Sequence, residues 1–239
     1  MTKFWQTFWS KYGPEQAVTE EDLFKQVAQT WNKQPISKKQ FKQMLDYIEE
    51  RLELSPQDHL VDLCCGNGLV SYELAKRVAE VTGIDFVPRN IQTAKEWKSA
   101  KNITYFLGDV TAPLSLYISE NTFPDKFLMN GSLAYFEPDG LDTILGNIMR
   151  HMAGHPFLFL LTGIPRFDFK WNFYNTPERV ARHLENERQP ENTNDGLGRW
   201  WRIEEIENIC SRYGVQVILT SQPLELSNYR MEALIKSAA

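Results

Sequence analysis

The turn at residues 62–71 carries the residue types in this chain that are best suited to chemistry. Gly66 and Gly68 follow a short apolar strand and, lacking a Cβ atom, let the backbone turn sharply and approach a ligand. Asp85 stands 19 residues after Gly66, where a carboxylate ending the next strand can accept hydrogen bonds from both hydroxyls of a ribose. Asp109 ends the third strand region and can accept from an exocyclic amine such as that of adenine. The spacing predicts a site for an adenosine-containing ligand.

The glycine turn alone leaves two kinds of cofactor open. Its pattern, Gly66-x-Gly68-x-x-Ser71, is close to the dinucleotide-binding fingerprint, with a serine at the third glycine. An NAD(P)-dependent enzyme is therefore the first alternative. Against it stand Asp109 and the roughly 55 residues of helical sequence before the first strand, because dinucleotide enzymes often open on that strand.

Apolar strands alternate with amphipathic helices from residue 60 onward. The pattern predicts strands at 60–63, 81–84, 103–107, 126–129 and 157–161, with helices at 69–79, 91–97 and 141–152. Strands that alternate with helices indicate a parallel sheet with helices on both faces. The carboxyl ends of its strands form the edge where such sheets bind ligands.

The C-terminal part of the chain departs from this alternation. A helix at 203–213 is stopped by Gly214, and two strands follow at 215–219 and 229–235. The linker between those strands is too short for a crossover helix, so they form an antiparallel pair. We expect an α/β fold whose mostly parallel sheet ends in an antiparallel hairpin.

Two segments flank or interrupt this core. Residues 1–55 read as helices and form an N-terminal lid or extension, residues 56–239 form the ligand-binding core, and residues 164–200 form an inserted cap. The N-terminal aromatic residues recur at helical spacing, which fits a lid, plain packing on the sheet or a dimer contact. The cap combines aromatic residues with arginines and follows a central strand.

Residues 58–237 resemble the class I S-adenosylmethionine-dependent methyltransferases, whose cofactor loop commonly reads acidic-Leu-Gly-Cys-Gly-x-Gly. The resemblance rests on residues 62–68, on Asp85 and Asp109, and on the closing hairpin. It implies a Rossmann-like sheet of seven strands and S-adenosylmethionine as the cofactor. One departure is visible, because Cys64 stands where a first glycine is usual.

The resemblance also implies roles for individual residues. The loop contacts the methionine part of the donor, Asp85 binds the ribose, and Asp109 with Val110 lies on the adenine. The residues implied in cofactor binding are Asp62, Leu63, Cys64, Gly66, Asn67, Gly68, Asp85, Phe86, Asp109, Val110, Asn130, Gly131 and Leu133.

The methyl acceptor is less defined than the donor. The stretch after the fourth strand has neither the histidines of many small-molecule members nor the Asn/Asp-Pro-Pro-aromatic signature of enzymes that methylate nucleic-acid amines. The acidic cluster of magnesium-dependent O-methyltransferases is also missing. We therefore expect metal-independent, in-line transfer to a small molecule, with positioning as the main source of catalysis.

Candidate residues for the acceptor lie after the fourth strand and in the cap. Tyr135 is the candidate to touch the acceptor, and His183 is a possible base. Aromatic packing and surface roles are the competing interpretations of these two residues. The predicted substrate-binding residues are Tyr12, Tyr135, Arg166, Trp171, Tyr174, Arg179 and Arg199.

Composition limits the partners. A formal net charge of -5 shows no broad basic surface, so neither nucleic acid nor an anionic membrane is expected as a partner. The sequence has no signal peptide or apolar run long enough to cross a bilayer, and its 3 cysteines lack metal-ligand spacing. We expect a cytoplasmic protein without a metal, and either a monomer or a homodimer.

A second alternative is a methyltransferase-like scaffold that binds the donor without turnover. A fold does not by itself guarantee activity. The intact loop and both aspartates favour retained donor binding.

Overall fold

The computed structural model describes residues 3–31, 34–188 and 197–237. Its centre is a sheet of seven strands in the order β3-β2-β1-β4-β5-β7-β6. The strands are β1 (His59–Leu63), β2 (Glu80–Asp85), β3 (Ile103–Leu107), β4 (Lys126–Asn130), β5 (Leu158–Pro165), β6 (Gln216–Ser221) and β7 (Arg230–Lys236). All are parallel except β7, which runs antiparallel to β5 and β6. The predicted fold class is confirmed.

The order of the strands creates a crevice at the carboxyl edge of the sheet. Chain order reverses at β1, which pairs with β2 on one side and with β4 on the other. The connections after β1 and β4 therefore leave the sheet on opposite faces, and the space between them is where open α/β sheets bind ligands. The apolar side chains that hold this centre together, Leu60, Val61 and Leu63, are fully buried.

Nine helices are present in the described part of the chain. They are α1 (Lys3–Lys11), α2 (Glu20–Gln26), α3 (Lys38–Leu52), α4 (Leu69–Leu74), α5 (Pro88–Trp97), α6 (Pro138–Met152), α7 (Lys170–Phe173), α8 (Pro177–Arg188) and α9 (Ile203–Arg212). One face of the sheet packs against α3 and α4, and the other packs against α6 and α9.

Helix α4 is shorter than the predicted helix at 69–79. It ends at Leu74, and the carbonyls of Ala75 and Val78 accept hydrogen bonds from Asn102 Nδ2 at 2.8 and 3.2 Å. Because a side chain from the loop before β3 satisfies these carbonyls, the chain can leave the helix early.

The N-terminal region is helical for the most part, with one exception. Thr30–Trp31 pairs antiparallel with Gln34–Pro35 in a two-stranded ribbon where we expected helix. The chain reverses direction after α2 through Ala28, whose φ of 53° lies in the left-handed region. Helix α3 then begins with a capping box in which Ser37 and Gln40 each bind the other's backbone N–H.

A buried ion pair joins α3 to the antiparallel strand. Glu232 is fully buried on β7, and its Oε1 atom accepts hydrogen bonds from Arg51 Nε at 2.5 Å and from Thr220 Oγ1 at 3.0 Å. Met44 and Gln40, nearer the start of α3, reach the carboxyl edge of the sheet. The ion pair between Arg51 and Glu232 therefore holds α3 against β7.

None of the helices in the described ranges combines the length and the apolar character that a bilayer span requires.

Candidate functional site

A cavity of about 690 Å³ lies at the carboxyl edge of the sheet. One end, which we call the glycine-loop half, is lined by residues that follow β1 and β2. The other end, the hairpin half, is lined by residues of the cap and by residues 222–230, which connect β6 to β7. The two halves meet at Asn130, Gly131, Ser132 and Gly163, where β4 and β5 end.

Asp85 is held rigidly in the wall of the glycine-loop half. Its Oδ2 atom accepts the backbone N–H of Gly66 at 3.0 Å, and Oδ1 accepts that of Val87 at 2.9 Å. Burial raises the pKa of this carboxyl to about 6, although the two backbone hydrogen bonds oppose the shift. The side chain of Asn90 also hydrogen-bonds to this carboxylate and opposes the shift.

A second buried carboxylate, Asp62, lines the same half. Ser71 Oγ donates to its Oδ2 atom at 2.5 Å, so the serine at the third glycine position orients a carboxylate. Burial raises the pKa of Asp62 to about 7, with a further contribution from the negative charge of Asp85. Two carboxylates in a low-dielectric wall favour a ligand that carries positive charge and hydroxyl donors.

Cys64 adopts the backbone conformation of a glycine. Its φ of 63° lies in the left-handed region, which costs a non-glycine residue roughly 1–2 kcal/mol. The loop therefore keeps the turn geometry despite the substitution, and Cys64 still lines the cavity. Burial raises the pKa of its thiol well above the usual range, so the thiol stays neutral.

The glycine loop packs directly against the C-terminal end of α2. A Cβ atom on Gly66 would lie 2.7 Å from Val27 Cγ1, so the loop and the residue after α2 pack without room for a side chain. Asn67 Nδ2 donates to Leu23 O at 2.8 Å and to Gln26 Oε1 at 2.9 Å. Of the predicted cofactor residues in this stretch, Gly66 lines the cavity, whereas Asn67 anchors α2.

Three other predicted cofactor residues pack away from the cavity lining. A Cβ on Gly68 would meet the ring of Tyr105, so this glycine permits close packing of the loop on β3. Leu63 and Leu133 are fully buried in the hydrophobic core. In contrast, Phe86, Asn130 and Gly131 line the cavity, and their role in cofactor binding stays a prediction.

The predicted adenine residues line a separate small cleft beside the cavity. Asp109 and Val110 form its wall, while Cys64 and Phe86 line both the cleft and the cavity. Asp109 Oδ1 accepts from the backbone N–H and the hydroxyl of Thr111 at 2.9 and 2.7 Å. The cleft holds only about 10 Å³ because Gln6 of α1 also lines it.

The aromatic residues of α1 pack over the site. The rings of Trp5 and Trp9 lie 4.7 and 5.0 Å from that of Tyr135, centroid to centroid. Arg89 Nη2 donates to the backbone carbonyls of Trp9 and Tyr12 and so fixes the end of α1 over α5. This placement agrees with a lid, and whether the segment opens stays a prediction.

Three of the predicted acceptor residues line the cavity, namely Tyr12, Tyr135 and Arg179. Two other predicted arginines are engaged in ion pairs outside the lining. Arg199 binds Glu137 and Glu205, and Arg166 lies 3.4 Å from Asp168. One nearby glutamate, Glu205, and one that is distant in sequence, Glu137, thus bind the guanidinium of Arg199.

His183 packs within the cap, which corrects its expected placement as a base. Its ring stacks on Tyr174 at 4.1 Å and lies edge-on to Trp171 at 5.5 Å, and it is 8% exposed. The cavity lining includes none of these three side chains. Residues 189–196 of the predicted cap lie outside the described residues.

The sequence predictions missed the contribution of the hairpin loop. Gln222, Asn228, Tyr229 and Arg230 line the cavity, although the sequence showed this stretch only as a linker. One signal was available: β6 is parallel to the central strands, so the loop that follows it must leave from the carboxyl edge.

Residues 60–154 match a family model described as a methyltransferase domain. This part of the chain is similar to methyltransferase domains. S-adenosylmethionine is the cofactor of this class of domain, which agrees with the donor predicted from the glycine loop and Asp85. The match favours a methyltransferase over the NAD(P)-dependent alternative.

Solved methyltransferases share the fold of this domain at low sequence identity. The magnesium protoporphyrin IX methyltransferase of Synechocystis PCC 6803, solved with bound S-adenosylhomocysteine, gives a TM-score of 0.59 at 14% identity, over 83% of this chain and 84% of that one. An S-adenosylmethionine-dependent methyltransferase from Clostridium acetobutylicum gives 0.61 at 13% identity, over 90% and 98%.

Curated relatives align with only part of this chain. An uncharacterized RNA methyltransferase of Listeria monocytogenes is 30% identical over 94 residues, which is 38% of this chain. The chain spans about 20% of the length of that relative. The likeness therefore covers a minor part of both proteins and leaves the acceptor open.

Proposed function

We propose that this protein is an S-adenosylmethionine-dependent methyltransferase that acts on a small-molecule acceptor without a metal. The observation that carries the proposal is the continuous cavity at the carboxyl edge, which joins two buried carboxylates to an aromatic, polar hairpin half. Its volume of about 690 Å³ is in the range of small-molecule sites.

The residues of the glycine-loop half fit this donor. Asp85 would accept from the ribose hydroxyls and Asp62 would face the cationic methionine part, since both carboxylates are buried and line the cavity. Asn90 Oδ1 is also buried in this wall without a hydrogen-bond partner in the described part of the chain. When bound, the donor supplies an electrophilic methyl group.

The chain's own residues position the acceptor and exclude water. Tyr135 lies at the junction under Trp5 and Trp9, so it would contact the acceptor and seal this side of the cavity. The N-terminal helices would act as a lid, because Phe8 and Trp9 form one wall. Within the described residues, no three His, Cys, Asp or Glu side chains are grouped to hold a metal.

A small acceptor is favoured over RNA by the shape of the site. The RNA methyltransferase name belongs to a relative that aligns with 38% of this chain. Residues of α1 and of the cap line the cavity, and the sequence carries net charge -5. A polyanion would meet neither an open groove nor a basic surface.

Calorimetry with S-adenosylhomocysteine tests the proposal directly. We expect saturable binding, followed by methyl transfer from labelled S-adenosylmethionine to members of a small-molecule panel. Titrations with NADH and with single-stranded RNA serve as controls. Failure to bind S-adenosylhomocysteine would contradict the donor assignment, whereas donor binding with transfer only to RNA would contradict the acceptor class.

Donor affinity should fall as the pH is lowered from about 8 to about 5.5. The pKa of Asp85 is raised to about 6 and that of Asp62 to about 7, so both carboxyls take up protons in this range. A protonated carboxyl loses its charge and part of its acceptor capacity. Binding should therefore release protons near neutral pH, measured by calorimetry in buffers with different ionisation enthalpies.

The unliganded protein should show the opposite trend in stability. A carboxyl whose folded pKa is raised stabilises the fold at low pH and loses that contribution as the pH rises through the folded pKa. For Asp62 and Asp85 the loss falls between about pH 4 and 7. A donor affinity that is independent of pH would contradict the assigned contacts.

A further inference from the structure

The hairpin half contains a guanidinium that no described carboxylate neutralises. Arg230, the first residue of β7, lines the cavity, and its Nε atom is buried without a hydrogen-bond partner among the described residues. Arg89 shares the unpartnered Nε atom, but two other half-buried arginines are neutralised by carboxylates. Arg51 is paired with Glu232, and Arg199 is paired with Glu205. A partly buried guanidinium without a counter-charge is costly, so its N–H groups fit an anionic ligand.

Arg230 lies beside the junction between the two halves. The β5–β7 register shifts between Leu161 and Ile164, next to Gly163, whose φ is 69°. Two residues after Gly163, Pro165 of β5 pairs with Arg230 of β7. A Cβ atom on Gly163 would lie 3.0 Å from Gly131 Cα and 3.6 Å from Arg230 Nη1. The absence of a side chain at Gly163 therefore lets the guanidinium approach the end of β4.

A second arginine lines the same half of the cavity. Arg179 Nη1 donates to the carbonyl of Phe173 at 3.1 Å, and its guanidinium lies 4.5 Å from the centre of that ring. In the described ranges neither Arg179 nor Arg230 forms an ion pair with Glu225, which lies exposed on the hairpin loop. The buried carboxylates of the cavity thus lie at the glycine-loop half, whereas the hairpin half holds two guanidinium groups and the exposed carboxylate of Glu225.

Aromatic side chains lie next to the guanidinium groups of Arg179 and Arg230. Phe173 and Tyr229 pack against each other at 5.2 Å between ring centroids with their planes tilted by 58°, and both line the cavity, as does Tyr135 at the junction. The Arg230 guanidinium lies 5.3 Å from the Tyr229 ring. Rigid aromatic walls select planar ligands, and a guanidinium selects a carboxylate through paired N–H groups.

We propose that the acceptor is a planar aromatic molecule that carries a carboxylate, and that Arg230 determines this specificity with Arg179 in support. The inference rests on the proposed function and adds the substrate class. In this arrangement the carboxylate is an anchor, and the position on the ring system that receives the methyl group lies toward Gly131.

Acid–amide pairs test the inference. Protein saturated with S-adenosylhomocysteine is titrated by calorimetry with 4-hydroxybenzoate and indole-3-acetate, and with the primary amide of each. The wild type should bind the acids about 10- to 100-fold more tightly than the amides, the size expected for a charge-assisted pair. Arg230→Gln should remove most of this preference and leave S-adenosylhomocysteine affinity within about twofold.

Two further variants make the test specific. Arg182→Gln alters an exposed arginine of α8 outside the lining and should leave the preference unchanged, whereas Arg230→Lys should retain part of it. An acid preference that persists in Arg230→Gln, or none in the wild type despite S-adenosylhomocysteine binding, would overturn the inference alone. Tighter binding of nucleoside 5′-phosphates than of the acids would also overturn it. Loss of S-adenosylhomocysteine binding by the wild type would instead refute the proposed function.

Discussion

Replacing Asp85 with asparagine should weaken S-adenosylhomocysteine binding by about 100-fold, the effect of losing roughly 3 kcal/mol of charge-assisted hydrogen bonding. The carboxylate is buried, and both of its oxygens already accept backbone N–H groups, from Gly66 and Val87. An asparagine would direct its NH₂ group at one of these donors. The variant should therefore lose the orientation of the loop as well as the charge.

Calorimetry and thermal unfolding separate these two effects. Asp139→Asn is a matched control, because Asp139 is an exposed carboxylate in the first turn of α6 outside the cavity. The control should bind S-adenosylhomocysteine like the wild type. If Asp85→Asn unfolds at the wild-type temperature and binds within about threefold of the wild type, Asp85 is not a donor ligand.

Removing the carboxylate of Glu232 should destabilise the fold by about 3 kcal/mol, because it leaves the Arg51 guanidinium without its counter-charge in a mostly buried position. Glu232 is fully buried, and the Arg51 side chain is 25% exposed, so water can only partly replace the lost partner. Burial and the neighbouring charge of Glu232 also raise the pKa of Tyr47, so Tyr47 remains a neutral hydroxyl that cannot take over the role of an anion.

Urea unfolding of Glu232→Ala measures this loss. Glu207→Ala, on the exposed side of α9, should change the free energy of unfolding by no more than about 0.5 kcal/mol. The double variant Arg51→Met with Glu232→Met should regain much of the stability, since no charge then remains buried. A Glu232→Ala protein as stable as Glu207→Ala would show that the pair does not anchor α3.

The glycine-loop half was largely predictable because its residues act through local structure. Gly66 and Asp85 end neighbouring parallel strands, so their spacing along the chain already determines that they meet at one edge. Even the departure at Cys64 left this part of the prediction intact, because the loop imposes the left-handed conformation on the residue.

Sequence spacing misjudged the ends of elements and the N-terminal ribbon. Helix α4 stops early, and Asn102 from a distant loop binds the carbonyls of Ala75 and Val78 that follow its end. No periodicity within 69–79 encodes that contact. Likewise, the pairing of Thr30–Trp31 with Gln34–Pro35 depends on a reversal at Ala28, a residue type that rarely adopts a positive φ.

The sequence by itself determined the fold class and the donor, since both depend on strand–turn–helix units whose parts are close along the chain. Only the tertiary structure decided which cap and hairpin side chains reach the cavity. Arg199 and Arg230 look equivalent in sequence, yet Arg199 meets Glu137 and Glu205, whereas Arg230 meets no carboxylate in the described part of the chain. The charge available to a ligand depends on which distant residues come into contact, and spacing along the chain does not specify those contacts.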